Sequence, residues 1–364
     1  MNARTRPNPT SQDIGLALAD GQRWVIRTLD EQAAVTVRTL GQVMQLGPAQ
    51  GGRMQYVASG FERPGDAERT TSSRFVCRLG PGRERRTERI RMERVASAIA
   101  AHSLARKGIL LHGALASRDG AGFILAGPSG VGKTTASRCL PPPWQSLSDD
   151  CTLVVRDAGG RYWAHAWPTW SRLRGLAPAA SWPVEQAVPL KALFFLRQSP
   201  ADRTEPVAIT PAAALIVESA FQLGRTVVLS PSGRANRTAC RRYLQAAWAL
   251  AAAVPAFRLH VSRNGHFWHA MERALSPAAA RAQRTAVPAE SGPGLDRPRP
   301  RRRCTPQVCP VPPCHLLPKG LKPKLVCFKT RDRTFLKLVT GRRVVASAND
   351  LLREWYVPRA PRRP

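Results

Sequence analysis

The stretch FILAGPSGVGKTTASR, residues 123–138, constrains the fold of this chain more than any other feature. It contains the pattern GxxxxGK(S/T) between an apolar run and a helix-compatible run, the context in which this pattern forms a phosphate-binding loop. The glycines let backbone N–H groups curve around a phosphate, the lysine bridges β- and γ-oxygens, and the threonine hydroxyl binds Mg²⁺. We therefore predict that ATP and Mg²⁺ bind at Gly127, Ser129, Gly130, Val131, Gly132, Lys133, Thr134 and Thr135.

The rarity of lysine strengthens this prediction. Lys107, Lys133 and Lys191 are the only lysines among the first 276 residues. The alternative is a glycine-rich turn that binds nothing, and it would require a lysine to occupy by chance the one position where the pattern needs it. Nucleotide binding is the better interpretation.

Two adjacent acids follow the loop in WQSLSDD, residues 144–150. Neighbouring side chains on a strand point to opposite sides, so one carboxylate can face a metal while the other faces elsewhere. Beside a triphosphate, one acid can hold the metal and the other can accept the proton of an attacking hydroxyl. The alternative is a solvated turn, since Ser and Asp favour turns.

His112 lies in the apolar run before the loop, where it is either a core residue or a third member of the site.

The formal net charge of +32 comes mostly from arginine, with 48 Arg against 8 Lys. This bias is typical of GC-rich coding rather than of a surface selected for nucleic acid, so nucleic-acid binding is the less favoured interpretation of the charge. The N-terminal residues lack the apolar core of a signal peptide, and no later run reaches the ~18 apolar residues of a membrane span. We expect a cytoplasmic protein without membrane contact.

Composition divides the chain into three parts. In the first part, residues 1–89, the first ~60 residues alternate short apolar runs, including AVTVRTL (34–40), with turn formers and predict a small β-rich unit of the α+β class. Residues 60–89 are polar and rich in arginine, and they predict a linker or an exposed hairpin. Residues 90–276 predict an α/β nucleotide-binding domain. Residues 277–364 are rich in proline and arginine and predict a tail that is disordered or read in a shifted frame. Whether its cysteines bind metal stays open, because their spacing misses CxxC: Cys304, Cys309, Cys314 and Cys327.

Apolar patterning predicts the main elements of the central domain. Strands are expected at ILLHGALAS (109–117), GFILAG (122–127), CTLVVRD (151–157), KALFFLR (191–197) and FRLHVS (257–262). Helices are expected near 90–108, 134–140, 236–253 and 265–275.

The motifs LLHGALAS, ILAGPSGVGKTTASR and SLSDD, in this order, resemble the core of the HPr kinase/phosphorylase superfamily, whose fold is similar to that of phosphoenolpyruvate carboxykinase. LPPPWQSLSDDCTLVV and YWAHAWPTWSRL more closely resemble the ScmC family of SynChlorMet cassette proteins. These HPr-kinase-like proteins are encoded beside radical SAM enzymes and short precursor peptides. The resemblance covers about residues 13–276 and implies an HPr-kinase-like P-loop core.

The resemblance also implies roles for single residues. Asp149 would take the proton from a substrate serine, while His112 would support that acid and contact the phosphoryl group. Lys133 would stabilise the transferred charge. Thr134 and Asp150 would coordinate Mg²⁺.

The chain departs from HPr kinases after the acid pair, where YWAHAWPTWSRL replaces a glycine- and arginine-rich signature. We therefore expect neither HPr as the substrate nor the reverse phosphorylase reaction. Trp163, Trp167 and Trp170 form either an apolar shelf for a peptide or part of the core. Arg172 is a candidate phosphate contact.

The expected function is an ATP-dependent kinase that phosphorylates a serine or threonine of a precursor peptide from its own biosynthetic cluster. Radical SAM maturation enzymes are expected as further partners. Two alternatives stay open: an ATP-binding accessory protein that presents the peptide without phosphorylating it, and a nucleic-acid-dependent ATPase. A homo-oligomer also stays open.

Overall fold

The computed structural model describes residues 13–50, 55–61, 74–79, 85–170, 180–228, 233–263 and 265–276, together with four short C-terminal segments. Within these ranges the chain is mixed α/β, and sheet forms most of its core. Among the helices that the structure describes, none combines the length and apolarity needed to cross a membrane.

The N-terminal unit is a four-stranded mixed sheet with one helix. Its strands lie in chain order; the first pair is antiparallel and the other two pairs are parallel. The elements are β1 (Ile14–Ala17), β2 (Arg23–Thr28), α1 (Glu31–Met44), β3 (Gln55–Phe61) and β4 (Arg74–Leu79).

Helix α1 corrects the expectation of a strand at AVTVRTL. The Asp30 carboxylate accepts a hydrogen bond from the Ala33 backbone N–H at 2.8 Å and so caps the helix. Ala33, Val37 and Leu40 follow at helical spacing and are buried against the sheet. The cap and this periodicity outweigh the strand preference of the β-branched residues within the run.

The central sheet has eight strands. The order along its main path is β11-β12-β10-β6-β5-β8-β9; β7 pairs with β5, and a further pairing of β10 with β9 closes five strands into a ring. The strands are β5 (Ile109–Arg118), β6 (Ala121–Ala126), β7 (Gln145–Ser148), β8 (Cys151–Arg156), β9 (Tyr162–Trp167), β10 (Ala187–Gln198), β11 (Arg203–Pro206) and β12 (Ala256–Val261).

Five helices accompany this sheet. They are α2 (Arg85–Leu104), α3 (Lys133–Arg138), α4 (Ile209–Val228), α5 (Gly233–Ala253) and α6 (Phe267–Leu275). The structure therefore confirms the strands and helices expected between residues 90 and 276, and it adds α4, β7, β9 and β11.

Alternation along the strands divides the core into two layers. In β10, Leu193 and Phe195 join the larger buried cluster, while Phe194 between them joins the smaller one on the opposite face. Helices α2, α4 and α5 contribute to the larger cluster, and α6 covers the smaller one. The phosphate-binding sequence leaves β6 between these layers.

The C-terminal segment, for which the sequence predicts disorder or a shifted reading frame, contains four described antiparallel strands in chain order. They are β13 (Gln307–Cys309), β14 (Pro323–Lys329), β15 (Thr334–Thr340) and β16 (Arg343–Ser347). Cys304 and Cys314 lie outside the described residues. Metal binding by the four cysteines therefore stays open.

Candidate functional site

The glycine-rich sequence forms a loop between β6 and α3. Gly130 and Gly132 have φ angles of 82° and 104°, a left-handed conformation that glycine adopts without steric cost. A Cβ atom at either position would meet no atom within 4 Å, so open space lies beside the loop. Helix α3 has only six residues, and its dipole adds little to this site.

Strand register explains why distant residues meet at this loop. In the antiparallel pair β5 and β6, Gly113 lies opposite Ala126, the last residue of β6. In the antiparallel pair β5 and β8, His112 lies opposite Cys151, the first residue of β8. His112 and the acid before Cys151 are therefore brought to the sheet edge where the loop begins.

Lys133 lies under the loop and is 5% exposed. Its ammonium group donates hydrogen bonds to the carbonyl oxygens of Gly127 at 3.0 Å and Pro128 at 3.1 Å. Burial lowers the pKa of Lys133, and the charge of Asp150 partly offsets that effect. An ammonium group has three donors, so one donor stays available for a phosphate oxygen.

Asp150 is the acid of the pair that contacts His112. Its Oδ1 lies 2.7 Å from Nε2 of His112, and its side chain is 29% exposed. Burial acts to raise the pKa of Asp150, but the hydrogen bond and charge of His112 together with the charge of Lys133 outweigh it, so the pKa is lowered. Asp150 is therefore an ionised carboxylate beside the loop lysine.

Asp149 has a different environment. Its side chain is 7% exposed, and Oδ1 accepts a hydrogen bond from the Thr169 hydroxyl at 3.0 Å. Burial raises the pKa of Asp149, and repulsion from Asp150 adds to this effect; the hydrogen bond from Thr169 and the charge of Arg138 act against it but do not cancel it. The adjacent carboxylates thus differ in charge preference, as a metal ligand and a proton acceptor would.

His112 contacts Asp150, whereas the family resemblance implied that it supports Asp149. The reason is local: β8 starts at Cys151, which lies opposite His112, so the preceding residue reaches the imidazole. The other ring nitrogen, Nδ1, contacts the amide oxygen of Gln222 on α4. His112 is therefore part of the polar site rather than an isolated core residue.

Helix α4 contributes to the site, although no motif in the sequence predicts this. Gln222 and Ser219 both contact His112, although they follow it by more than 100 residues. Helical spacing in ITPAAALIVESAFQLG could have revealed a buried face, but no local pattern shows that this face meets His112.

The remaining loop residues divide by exposure. Ser129, Gly130 and Thr135 are exposed, whereas Val131 packs against the smaller core cluster. Thr134 is half-buried at the start of α3, next to Lys133. Ser129, Gly130 and Thr135 are therefore accessible to a ligand.

The structure supports core packing for the central tryptophan of the proposed shelf. Trp167 is 1% exposed and belongs to the larger buried cluster, against which Trp163 and Trp170 pack. The indole N–H of Trp163 donates to Asp157 at 2.9 Å. Arg172 lies outside the described residues.

The donor set fits Mg²⁺ only if phosphate oxygens complete it. Mg²⁺ commonly takes one or two protein carboxylates together with phosphate oxygens and water. Asp150 and the hydroxyl of Thr134 are donors of this type. In the described part of the chain, no group of three or more His, Cys, Asp and Glu side chains could hold a metal.

Together these features define a mixed α/β protein whose central sheet carries a glycine-rich loop, a buried lysine and an acid pair with one histidine. A family model for the SynChlorMet cassette protein ScmC matches residues 75–276. Because this match spans more than half of the chain, the protein belongs to the ScmC family. No curated protein matches the chain.

Proposed function

We propose that this protein is an ATP-dependent kinase of the HPr-kinase type, cytoplasmic and with an HPr-kinase-like P-loop core. Its acceptor would be a serine or threonine of the precursor peptide of a SynChlorMet-type cassette. The family match supports the cassette context. The glycine-rich loop, with open space at Gly130 and Gly132 and the Lys133 ammonium beneath it, supports ATP as the ligand.

The different partners of the two adjacent acids carry this proposal, because Asp150 contacts His112 at 2.7 Å whereas Asp149 accepts a hydrogen bond from Thr169 at 3.0 Å. A lowered pKa keeps Asp150 ionised, as a metal ligand requires. A raised pKa makes Asp149 a stronger base at neutral pH, as acceptance of a hydroxyl proton requires. A loop that only bound nucleotide would need no such second acid.

The residues would divide the reaction between them. The acceptor oxygen would form a bond to the γ-phosphorus of ATP as the bond from that phosphorus to the β–γ bridging oxygen breaks, so that ADP leaves, and Mg²⁺ would neutralise charge on the phosphates. Lys133 and the amides of the loop stabilise negative charge at the transferring group, while Asp150 and Thr134 hold the metal. Asp149 orients the acceptor hydroxyl and takes its proton, and Thr169 fixes the orientation of that carboxylate.

Co-expression with the precursor peptide of the same cassette tests this function. Intact-mass measurement of the purified peptide should show the added mass of one phosphate with the wild-type protein, and none with Lys133→Met. A peptide of unchanged mass in both cultures, with ATP binding intact, would contradict the kinase proposal.

A second candidate is an ATP-binding accessory protein that presents the precursor to radical SAM enzymes without phosphorylating it. The observation in its favour is the low exposure of Asp149, whose side chain is 7% exposed and bonded to Thr169. On this alternative, peptide and maturation enzyme should co-purify with the protein only when ATP is present, and the peptide mass should not change. Phosphorylated peptide in that complex would rule it out.

A further inference from the structure

Helix α4 places two polar side chains against His112. The hydroxyl of Ser219 donates to the His112 backbone carbonyl at 3.2 Å, and the side-chain amide of Gln222 contacts Nδ1 of the ring. Residues three apart on a helix share one face, so both contacts come from the same side of α4. One contact holds the backbone of His112 and the other holds its ring.

The imidazole is thereby fixed at both of its nitrogens. Nε2 meets Oδ1 of Asp150 at 2.7 Å, and Nδ1 meets Gln222. The hydrogen bond at one ring nitrogen sets the orientation of a histidine and the role of the other nitrogen. Gln222 can therefore set the orientation of the His112 ring toward Asp150 without contacting a substrate.

Gln222 lies at a narrow gap between α4 and the glycine-rich loop. This gap is lined by Gln222, Glu218 and Ser219 on the helix side and by Gly127 on the loop side. Loss of the amide would remove the hydrogen bond that joins Nδ1 of His112 to α4.

We propose that Gln222 is a positioning residue of this site. It holds the ring of His112 so that Nε2 stays on Asp150, which keeps that carboxylate beside Lys133. The proposal rests on the kinase function for its effect on turnover. It rests on geometry alone for its effect on the histidine ring.

A matched pair of substitutions at this position tests the proposal in the full-length protein. Gln222→Leu keeps the approximate volume and removes the hydrogen bond, whereas Gln222→Glu keeps the oxygen that faces Nδ1. We expect Gln222→Leu to lower kcat for peptide phosphorylation roughly 10- to 100-fold, with KM for ATP changed less than about 3-fold. Gln222→Glu should recover most of that loss.

The ring nitrogens of His112 give a readout that does not need activity. In ¹⁵N-labelled protein, a His112→Gln variant assigns the His112 signals among those of the seven histidines. Gln222→Leu should shift the Nδ1 resonance strongly and Gln222→Glu only slightly. If wild type transfers no phosphate but the shift follows this order, the kinase proposal fails and the positioning role stands.

Two results would overturn the positioning role. The first is an unchanged Nδ1 resonance in Gln222→Leu. The second is an equal loss of kcat in both variants together with an equal drop in Tm, since a purely structural role for this position predicts that pattern.

Discussion

Nε2 of His112 lies 2.7 Å from Oδ1 of Asp150, the second acid of the pair, and that contact orders the site. It keeps the pKa of Asp150 low beside Lys133 although burial acts to raise it. Asp149, directly before it in the chain, bonds to Thr169 instead. Adjacent carboxylates therefore have different partners and can have different functions.

Removal of the loop lysine should abolish tight ATP binding. Lys133→Met keeps the buried aliphatic stem and deletes the ammonium group, so we expect ATP affinity to fall roughly 10- to 100-fold or more. Isothermal titration calorimetry measures the change. Lys191→Met is the matched control, because Lys191 is exposed on β10, and its affinity should equal that of wild type. Equal affinities in all three proteins would contradict the role of Lys133.

A methyl group on the loop should lower the affinity for ATP by more than its cost in folding stability would explain. Gly132→Ala imposes a side chain on a φ of 104°, at a cost of about 1–2 kcal/mol in the free energy of unfolding. It also occupies the open space beside the loop. Gly21 has a φ of 79° and the same open surroundings in the N-terminal unit. Gly21→Ala should therefore cost similar stability and leave ATP affinity unchanged, and a parallel loss of affinity in both variants would contradict a ligand at the loop.

The folding stability at acidic pH should depend on His165. This histidine is fully buried, its Nδ1 donates to the Val184 carbonyl at 2.7 Å, and burial lowers its pKa to about 4. The unfolded chain therefore binds the proton first, and stability is lost as pH falls from about 6.5 to 4, by about 3 kcal/mol. His165→Gln removes this dependence. Urea unfolding of both proteins at pH 4.5 and 7 measures the difference, and identical pH slopes would contradict the burial of a neutral ring.

Glu218 should have the opposite effect. Burial in the gap behind Gly127 raises its pKa to about 7, so the folded state holds a proton that the unfolded state releases near pH 4.5. Stability is then lost as pH rises from about 4.5 to 7, by about 3 kcal/mol. Relative to wild type, Glu218→Gln should gain stability at pH 8 and not at pH 4. A constant difference at both pH values would contradict the raised pKa.

In the wild-type protein the effects of His165 and Glu218 on stability offset each other, because they fall in overlapping pH ranges and have opposite signs. The wild-type curve alone therefore conceals both. Each single variant reveals the contribution of the group that remains.

Local signals made the loop, Lys133 and the acid pair predictable from sequence. The glycines and the lysine must stand at fixed spacing for chemical reasons, and the flanking strand and helix follow from apolar periodicity. Residues for which a strand was expected form helix α1 instead, because Asp30 caps the helix. This cap is also a local signal, but the β-branched residues that follow favour a strand and obscured it.

Local sequence patterns could not predict which side chains contact each other in the site. The choice of Asp150 over Asp149 by His112 depends on the residue at which β8 begins, and a shift of one residue would exchange the two acids. Gln222 reaches His112 only through the packing of α4 on β5, across 110 positions of sequence. Such contacts follow from the tertiary fold rather than from spacing.

The central claim is that Asp149 takes the proton of the acceptor hydroxyl, and one substitution tests it most directly. Asp149→Asn keeps the shape and the bond from Thr169 but removes the base. With Mg²⁺, γ-labelled ATP and the precursor peptide, wild type should label the peptide, and the variant should bind ATP with nearly the same affinity yet transfer no label. Transfer at the wild-type rate by Asp149→Asn would contradict the account.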